Sequence, residues 1–276
     1  MSLGDCMNWR EKLLDATHTN NSLLCVGLDT DVEKIPKFLR ESSKNPVFDF
    51  NKAIIDATKD LVCAYKLNMA FYEAVGIAGI EALERTIQYI PQSVFIIVDG
   101  KRNDIGNTAQ KYAQSLFEGL KADAVTVNPY LGKDGVAPFL AYKDKCSFIL
   151  CRTSNPSARD FQDLPVLSTP LYQIVARKIQ EWNTSENCGA VVGATYPEEL
   201  EVVRSILGES IPILIPGVGK QGGDVGKTVV NGTNSKKELA IINSSREIIF
   251  ASGKEDFAAQ SRMKAESVRN EINKFR

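Results

Sequence analysis

Histidine is almost missing from this chain: His18 is the only one in 276 residues. The six cysteines, at 6, 25, 63, 146, 151 and 188, form no CxxC pair. These shortages argue against a structural zinc site, and no metal site is expected. Cys25, Cys63 and Cys151 stand in apolar, strand-like runs and read as small buried hydrophobes. No apolar run is long enough to span a bilayer, and the start, Met1–Asn8, is short and polar rather than a secretory leader. A reducing cytoplasm is the expected location. Neither sign of charge is in excess: 33 basic and 34 acidic residues leave a formal net charge of −1. That balance gives no electrostatic reason to expect nucleic acid or a membrane as partner, so an anionic ligand must be held by a local site. Repeats of 20–50 residues and low-complexity linkers are also missing, and residues 1–276 are expected to form one domain.

What the chain does have is alternation. Short apolar runs, rich in β-branched residues, occur at Leu23–Leu28, Val62–Leu67, Val94–Val98, Ala124–Val127, Ser147–Cys151, Ala190–Val192, Ile211–Ile215 and Leu239–Ile242. Apolar on both faces, they read as parallel strands covered on both sides. Between them lie amphipathic stretches: Asp49–Thr58 with Asp49 as its cap, Gly79–Tyr89, Thr108–Glu118, Thr169–Trp182, Pro197–Leu207 and a closing Asp256–Lys274. Pro197 followed by Glu198 and Glu199 marks a helix start. Eight strands alternating with helices predict an α/β fold, a (β/α)8 TIM barrel, with an open doubly wound sheet as the alternative.

Barrel chemistry belongs at the C-terminal strand ends. Six of the eight runs end in polar groups: Asp29; Lys66 and Asn68; Asp99 and Lys101; Arg152-Thr153-Ser154; Pro216-Gly217-Val218-Gly219; and Asn243-Ser244-Ser245-Arg246. The densest is Asp99-Gly100-Lys101-Arg102-Asn103-Asp104-Ile105, followed by Thr108. On an extended segment Asp99 and Lys101 face the same way, and Asp104 follows after a turn. A lysine held between carboxylates stays protonated and can deliver a proton. Lys66 from the neighbouring strand extends the pattern to an alternating Lys–Asp–Lys–Asp row. The bland alternative is an ion-pair cluster at a barrel rim.

The Asp-x-Lys-x-x-Asp-Ile pattern with Thr108 beyond it resembles the hallmark of the orotidine 5′-phosphate decarboxylase family. Leu28-Asp29, Lys66-Leu67-Asn68 and Pro216 through Asp224 resemble further family motifs. Arg152-Thr153-Ser154-Asn155-Pro156 and Asn243-Ser244-Ser245-Arg246 are similar to forms in its bacterial-type branch. The resemblance implies decarboxylation of orotidine 5′-monophosphate to UMP in pyrimidine biosynthesis, with no cofactor. It implies Lys101 as the acid that protonates C6 and Asp99 as the charge against the departing carboxylate. Asp104 completes the row and touches the ribose, across a homodimer interface that also brings Thr108. Lys66 and Asp29 bind ribose hydroxyls, supported by Asn68. Ser154 bridges the base and a closing loop, Ile105 and Pro216 line the substrate, and Gln221, Ser245 and Arg246 take the phosphate. A Mg²⁺-dependent sugar-phosphate lyase or decarboxylase on the same scaffold, or a non-catalytic pyrimidine-nucleotide-binding protein, is the alternative.

One departure from the family is Glu247, where glycine is usual; a carboxylate there repels a phosphate unless it points away. Gly222–Lys237 is long and polar and reads as a lid. Gly217, Gly219 and Gly222 also spell the GxGxxG dinucleotide pattern, but Gly223–Lys236 shows no clear helix to follow it. The run to Thr228 nearly spells a P-loop, with Gln221 in place of its first glycine.

Overall fold

The computed structural model describes residues 7–218 and 224–276. Eight parallel strands close into a barrel in the order β1-β8-β7-β6-β5-β4-β3-β2. They are β1 Leu24–Gly27, β2 Ala64–Asn68, β3 Phe95–Arg102, β4 Ala124–Val127, β5 Cys146–Arg152, β6 Cys188–Val192, β7 Ile213–Pro216 and β8 Ala240–Ser244. The expected closed barrel is therefore what forms, and the open sheet is not. No helix of the described residues is long and apolar enough to cross a membrane.

The strands read as uniformly apolar because the barrel has two separate cores. Leu24, Val26, Tyr65, Leu67, Ile96, Val98, Val125 and Ile149 face the surrounding helices. Cys25, Ala64, Phe95, Ile97, Cys146, Phe148, Val191, Leu214 and Ile241 fill the inside. The inner core is closed by α1, Trp9–Thr19, whose Trp9 and Leu13 join it. Asn8 starts that helix with a capping box to Glu11. Lys12 Nζ reaches Asp123 Oδ2 at 2.6 Å, and Trp9 N donates to Asp144 O, so α1 lies across the N-terminal ends of β4 and β5. Interior filling stops before the other end. There the inward positions of β2, β3, β4 and β8 are Lys66, Asp99, Thr126 and Asn243, all buried and polar.

Several helix boundaries differ from the sequence expectation. The helix expected to open at Asp49 is α3, Pro46–Thr58, capped by Asn45, with Pro46 in its first turn and Asp49 inside it. The helix expected from Thr169 begins at Leu171. Thr169, held extended by the proline after it, instead pairs with Val166 in a short hairpin, Pro165–Val166 with Thr169–Pro170. The stretch expected to be a helix-free lid contains α10, Val225–Gly232, capped by Asp224, with Thr228, Val229 and Gly232 buried. Its Gly, Asn and Thr content hides a short apolar stripe that packing against α9, Pro197–Leu207, stabilises. A lid role is thus wrong for 225–237, and so is the argument that no helix follows the glycine pattern. The closed barrel disposes of that pattern instead, since the dinucleotide fingerprint belongs to a βαβ unit of an open sheet.

Candidate active site

Above the polar layer lies an open cavity of about 650 Å³, within the size range of small-molecule sites. Its wall includes Asp29, Lys66, Asn68, Asp99, Lys101, Ser154, Pro216, Ser245 and Arg246. Nine of the thirteen expected site residues thus meet here, from six strands and the loops that follow them. Gln221 lies outside the described residues. Asp104, Ile105 and Thr108 are not part of the wall.

The floor is an ordered charge row. Lys66 Nζ sits between Asp29 Oδ1 at 3.0 Å and Asp99 Oδ2 at 3.2 Å. The other oxygen of Asp99 accepts from Lys101 Nζ at 2.8 Å and from the Thr126 hydroxyl at 2.7 Å. The row within one chain is therefore Asp29–Lys66–Asp99–Lys101, with Asp29 rather than Asp104 as its second carboxylate. Asp104 turns away, and one of its oxygens accepts the Ile105 N–H at 2.8 Å. Register explains the row: Lys66 pairs with Ile97, and Asn68 with Asp99, so the two strands bring Lys66 and Asp99 side by side on the inner face.

Lys101 does not follow from simple strand alternation. Its φ is +43°, beside a register shift between Val98 and Arg102, so the backbone bulges and re-aims the side chain. The Lys101 N–H donates to Thr126 Oγ1 at 2.9 Å, which anchors this conformation. Thr126 thus braces both members of the Asp99–Lys101 pair. It had no motif to single it out, only its inward position on β4.

Charge state follows from burial and neighbours. Burial pushes the Asp99 carboxyl up, but the ammonium groups of Lys66 and Lys101, with the hydrogen bonds from Lys101 and Thr126, outweigh it and hold Asp99 well below the usual carboxylate range. Burial disfavours the Lys66 ammonium, and the charges of Asp29 and Asp99 outweigh that, raising Lys66 above an ordinary lysine. Lys101 differs from Lys66 in access: its side chain is 47% exposed, against 5% for Lys66. One lysine is locked between carboxylates, and the other presents its ammonium to the cavity.

The remaining wall is built by close approach. A Cβ on Gly27 would lie 1.9 Å from Ser245 Oγ, so only glycine at the end of β1 leaves room for that hydroxyl. Asn243 Nδ2 donates to Ser245 Oγ at 3.2 Å. Asn68 spends its Oδ1 capping the next helix, α4, Met69–Glu73, through Ala70 N. Arg246, exposed at the rim, opens the four-residue turn Arg246–Ile249. Glu247 does reach the cavity wall, but one oxygen pairs with Lys264 Nζ of the closing helix, Phe257–Asn273. Arg152 corrects another expectation: it is fully buried and is not part of the cavity wall.

Comparison with known proteins agrees with this architecture. A relative named orotidine 5′-phosphate decarboxylase, from Cellvibrio japonicus, is 50% identical over 272 residues, 97% of this chain and 98% of its own length. One of the same name from Dehalococcoides mccartyi is 47% identical over 274 residues, 98% of this chain and 99% of its own. The solved structure of Leishmania donovani OMP decarboxylase superposes with a TM-score of 0.85 at 34% identity, covering 98% of both chains. A putative orotidine-monophosphate decarboxylase from Toxoplasma gondii gives 0.88 at 37%, covering 98% of this chain and 99% of its own. The model of the orotidine 5′-phosphate decarboxylase / HUMPS family matches residues 22–260, and with these relatives beside it the chain belongs to that family.

Proposed function

We propose that this site converts orotidine 5′-monophosphate to UMP, a step of pyrimidine biosynthesis, without metal or cofactor, and that Lys101 is its general acid. The observation that carries the reading is the row Asp29–Lys66–Asp99–Lys101, which ends in an accessible ammonium hydrogen-bonded to a buried carboxylate. The substrate's C6 carboxylate lies against Asp99. The bond from C6 to that carboxylate breaks, its electron pair stays on C6, and CO₂ leaves. Lys101 Nζ transfers a proton to C6 and recovers one from water. Asp99 is ionised throughout the neutral range, so its repulsion acts on the bound carboxylate and disappears as neutral CO₂ departs.

The ribose hydroxyls meet Asp29 and Lys66, with Asn68 beside them. Ser154 and Pro216 flank the base. The phosphate takes Ser245, Arg246 and Gln221, where the planar guanidinium fork suits phosphate oxygens. In a homodimer, Asp104, Ile105 and Thr108 serve the partner's site; Ile105 is 56% exposed in the isolated chain, as an interface residue would be. The five described cysteines are buried and free, which suits a reducing cytoplasm.

Metal independence is favoured by the placement of Lys66, whose ammonium occupies the point between Asp29 and Asp99 that a divalent cation would need. The test is the loss of the substrate's ultraviolet band after exhaustive EDTA treatment, with an undiminished rate expected. Activity restored only by Mg²⁺ would support the sugar-phosphate alternative, and binding without turnover the non-catalytic one. The shared site has its own test. Mixing inactive Lys101→Ala and Asp104→Ala chains under exchange should restore roughly a quarter of wild-type activity, because about half the dimers are mixed and each has one intact site. No recovery from dimers shown to have exchanged would assign Asp104 to its own subunit.

A further inference from the structure

Arg152, at the end of β5, is the largest fully buried side chain among the described residues, and the chemistry above does not use it. Its guanidinium lies 3.9 Å from the Tyr196 ring centroid, at the start of α9. It pairs with Asp163, Nε to Oδ1 and Nη2 to Oδ2 both at 3.2 Å, and donates to the Thr153 carbonyl at 3.1 Å and to Gln162 Oε1 at 3.4 Å. Gln162 is tied again: its Oε1 accepts the Thr153 N–H at 2.8 Å, and its Nε2 donates to Thr153 Oγ1 at 2.8 Å. Thr153, Ser154 and Gln162 all line the cavity. Ser154 is also pressed against β6's exit, where a Cβ on Gly193 would lie 2.7 Å from Ser154 Cβ.

We propose that Arg152 is a positioning residue for base recognition. Its fork clamps both ends of the loop 153–163, so that Ser154 and Gln162 are held ready against the pyrimidine before substrate arrives. The physical reason is that a permanently charged guanidinium is costly to bury unless it is paired: Nη1 and Nη2 donate to Thr153, Gln162 and Asp163, and Nε, with no hydrogen bond of its own, still faces the Asp163 carboxylate. An apolar residue could fill the same volume but could not set the loop's geometry. Beyond the clamp the loop is tied by backbone bonds, Gln162 N to Ala158 O at 2.8 Å and Tyr172 N to Gln162 O at 2.9 Å, and its regular structure is the turn Pro156–Asp160 and the hairpin that follows, with Phe161, Leu164, Val166 and Leu167 exposed. This inference rests on the proposed substrate, because it assigns the loop to the base rather than to ribose or phosphate.

The test compares two ligands of wild type, Arg152→Lys and Asp163→Asn, well below their melting temperatures and with the fold checked by circular dichroism. UMP carries the base; ribose 5-phosphate lacks it. Arg152→Lys keeps the charge but loses the fork. Asp163→Asn, on the more exposed side of the pair, serves where Arg152→Lys does not fold. UMP binding should weaken about tenfold, the size of a lost charge-assisted contact. Ribose 5-phosphate should bind within twofold of wild type, and kcat/KM for the monophosphate should fall at least tenfold. UMP binding within twofold of wild type, or equal losses for both ligands, overturns the positioning role. Failure of the wild type to bind UMP overturns the proposed function instead.

Discussion

The two ends of the barrel use the same residue types to opposite ends. At the N-terminal end, Lys12 meets Asp123 at 2.6 Å, and Asp123 Oδ2 also accepts the buried Ile96 N–H at 2.9 Å. That carboxylate has a dedicated cation and a backbone donor, and the result is a helix fastened across the barrel floor. At the C-terminal end, Asp99 is shared by two lysines and a threonine, and Lys66 by two carboxylates. An odd ammonium, Lys101, is left facing open space. A salt bridge that closes on itself is structure. A row that ends at a cavity leaves a charge free to meet a ligand.

That contrast can be broken by mutation. The largest effect is expected from Lys101→Ala. Proton delivery alone is worth about 10²–10⁴-fold, and losing the row's charge adds to it. Turnover should fall by more than about 10⁴-fold with UMP binding still measurable. Activity within tenfold of wild type would remove Lys101 from its role.

Next in size is Arg246→Ala, for which kcat/KM should drop about 100-fold or more, since each charge-assisted hydrogen bond contributes roughly 1.5–3 kcal/mol. If remote phosphate binding lowers the barrier at C6, kcat falls as well as KM rising. Orotidine without its phosphate should then be a very poor substrate. Equal saturating rates for orotidine and its monophosphate would show that the phosphate contributes nothing.

Lys12→Met should act at the other end only. Both side chains of that pair are largely buried, so stability should fall by about 1–3 kcal/mol, read from chemical denaturation, with kcat unchanged. A matching loss of kcat would mean the two ends are mechanically coupled.

The smallest effect concerns pH. Asp99's folded pKa is depressed, so its stabilising pairing is complete above the unfolded value near 3.9 and is lost only as pH falls below that range, toward the folded value. Lys66 is raised, so its share is complete below the ordinary lysine value and fades only above it. Neither titrates between pH 5 and 8. Carbon-13 NMR of labelled aspartate should show no Asp99 titration there; a midpoint near neutrality would mean that Asp99 is not held by its two lysines.

Much of this molecule was legible in the chain itself. Local physics determined the alternation of β-branched runs with amphipathic stretches, hence the barrel. It also determined the polar strand ends, hence where to look, because a polar group at the end of an apolar run needs no distant partner to be noticed. Only the tertiary structure decided how those groups pair. Asp29 rather than Asp104 completes the row because closure puts β1 beside β2, with Val26 opposite Tyr65 and Gly27 opposite Lys66, while the chain beyond Lys101 turns out of the barrel. Thr126 became a brace and Gly27 a gap for Ser245 through neighbours far away in sequence, and Arg152 became a buried clamp through a loop that returns to it 11 residues later. Such contacts depend on strand register and loop return, which no local pattern encodes. The α10 stripe was missed for the same reason: its residues favour helix weakly, and packing on the barrel decides the matter.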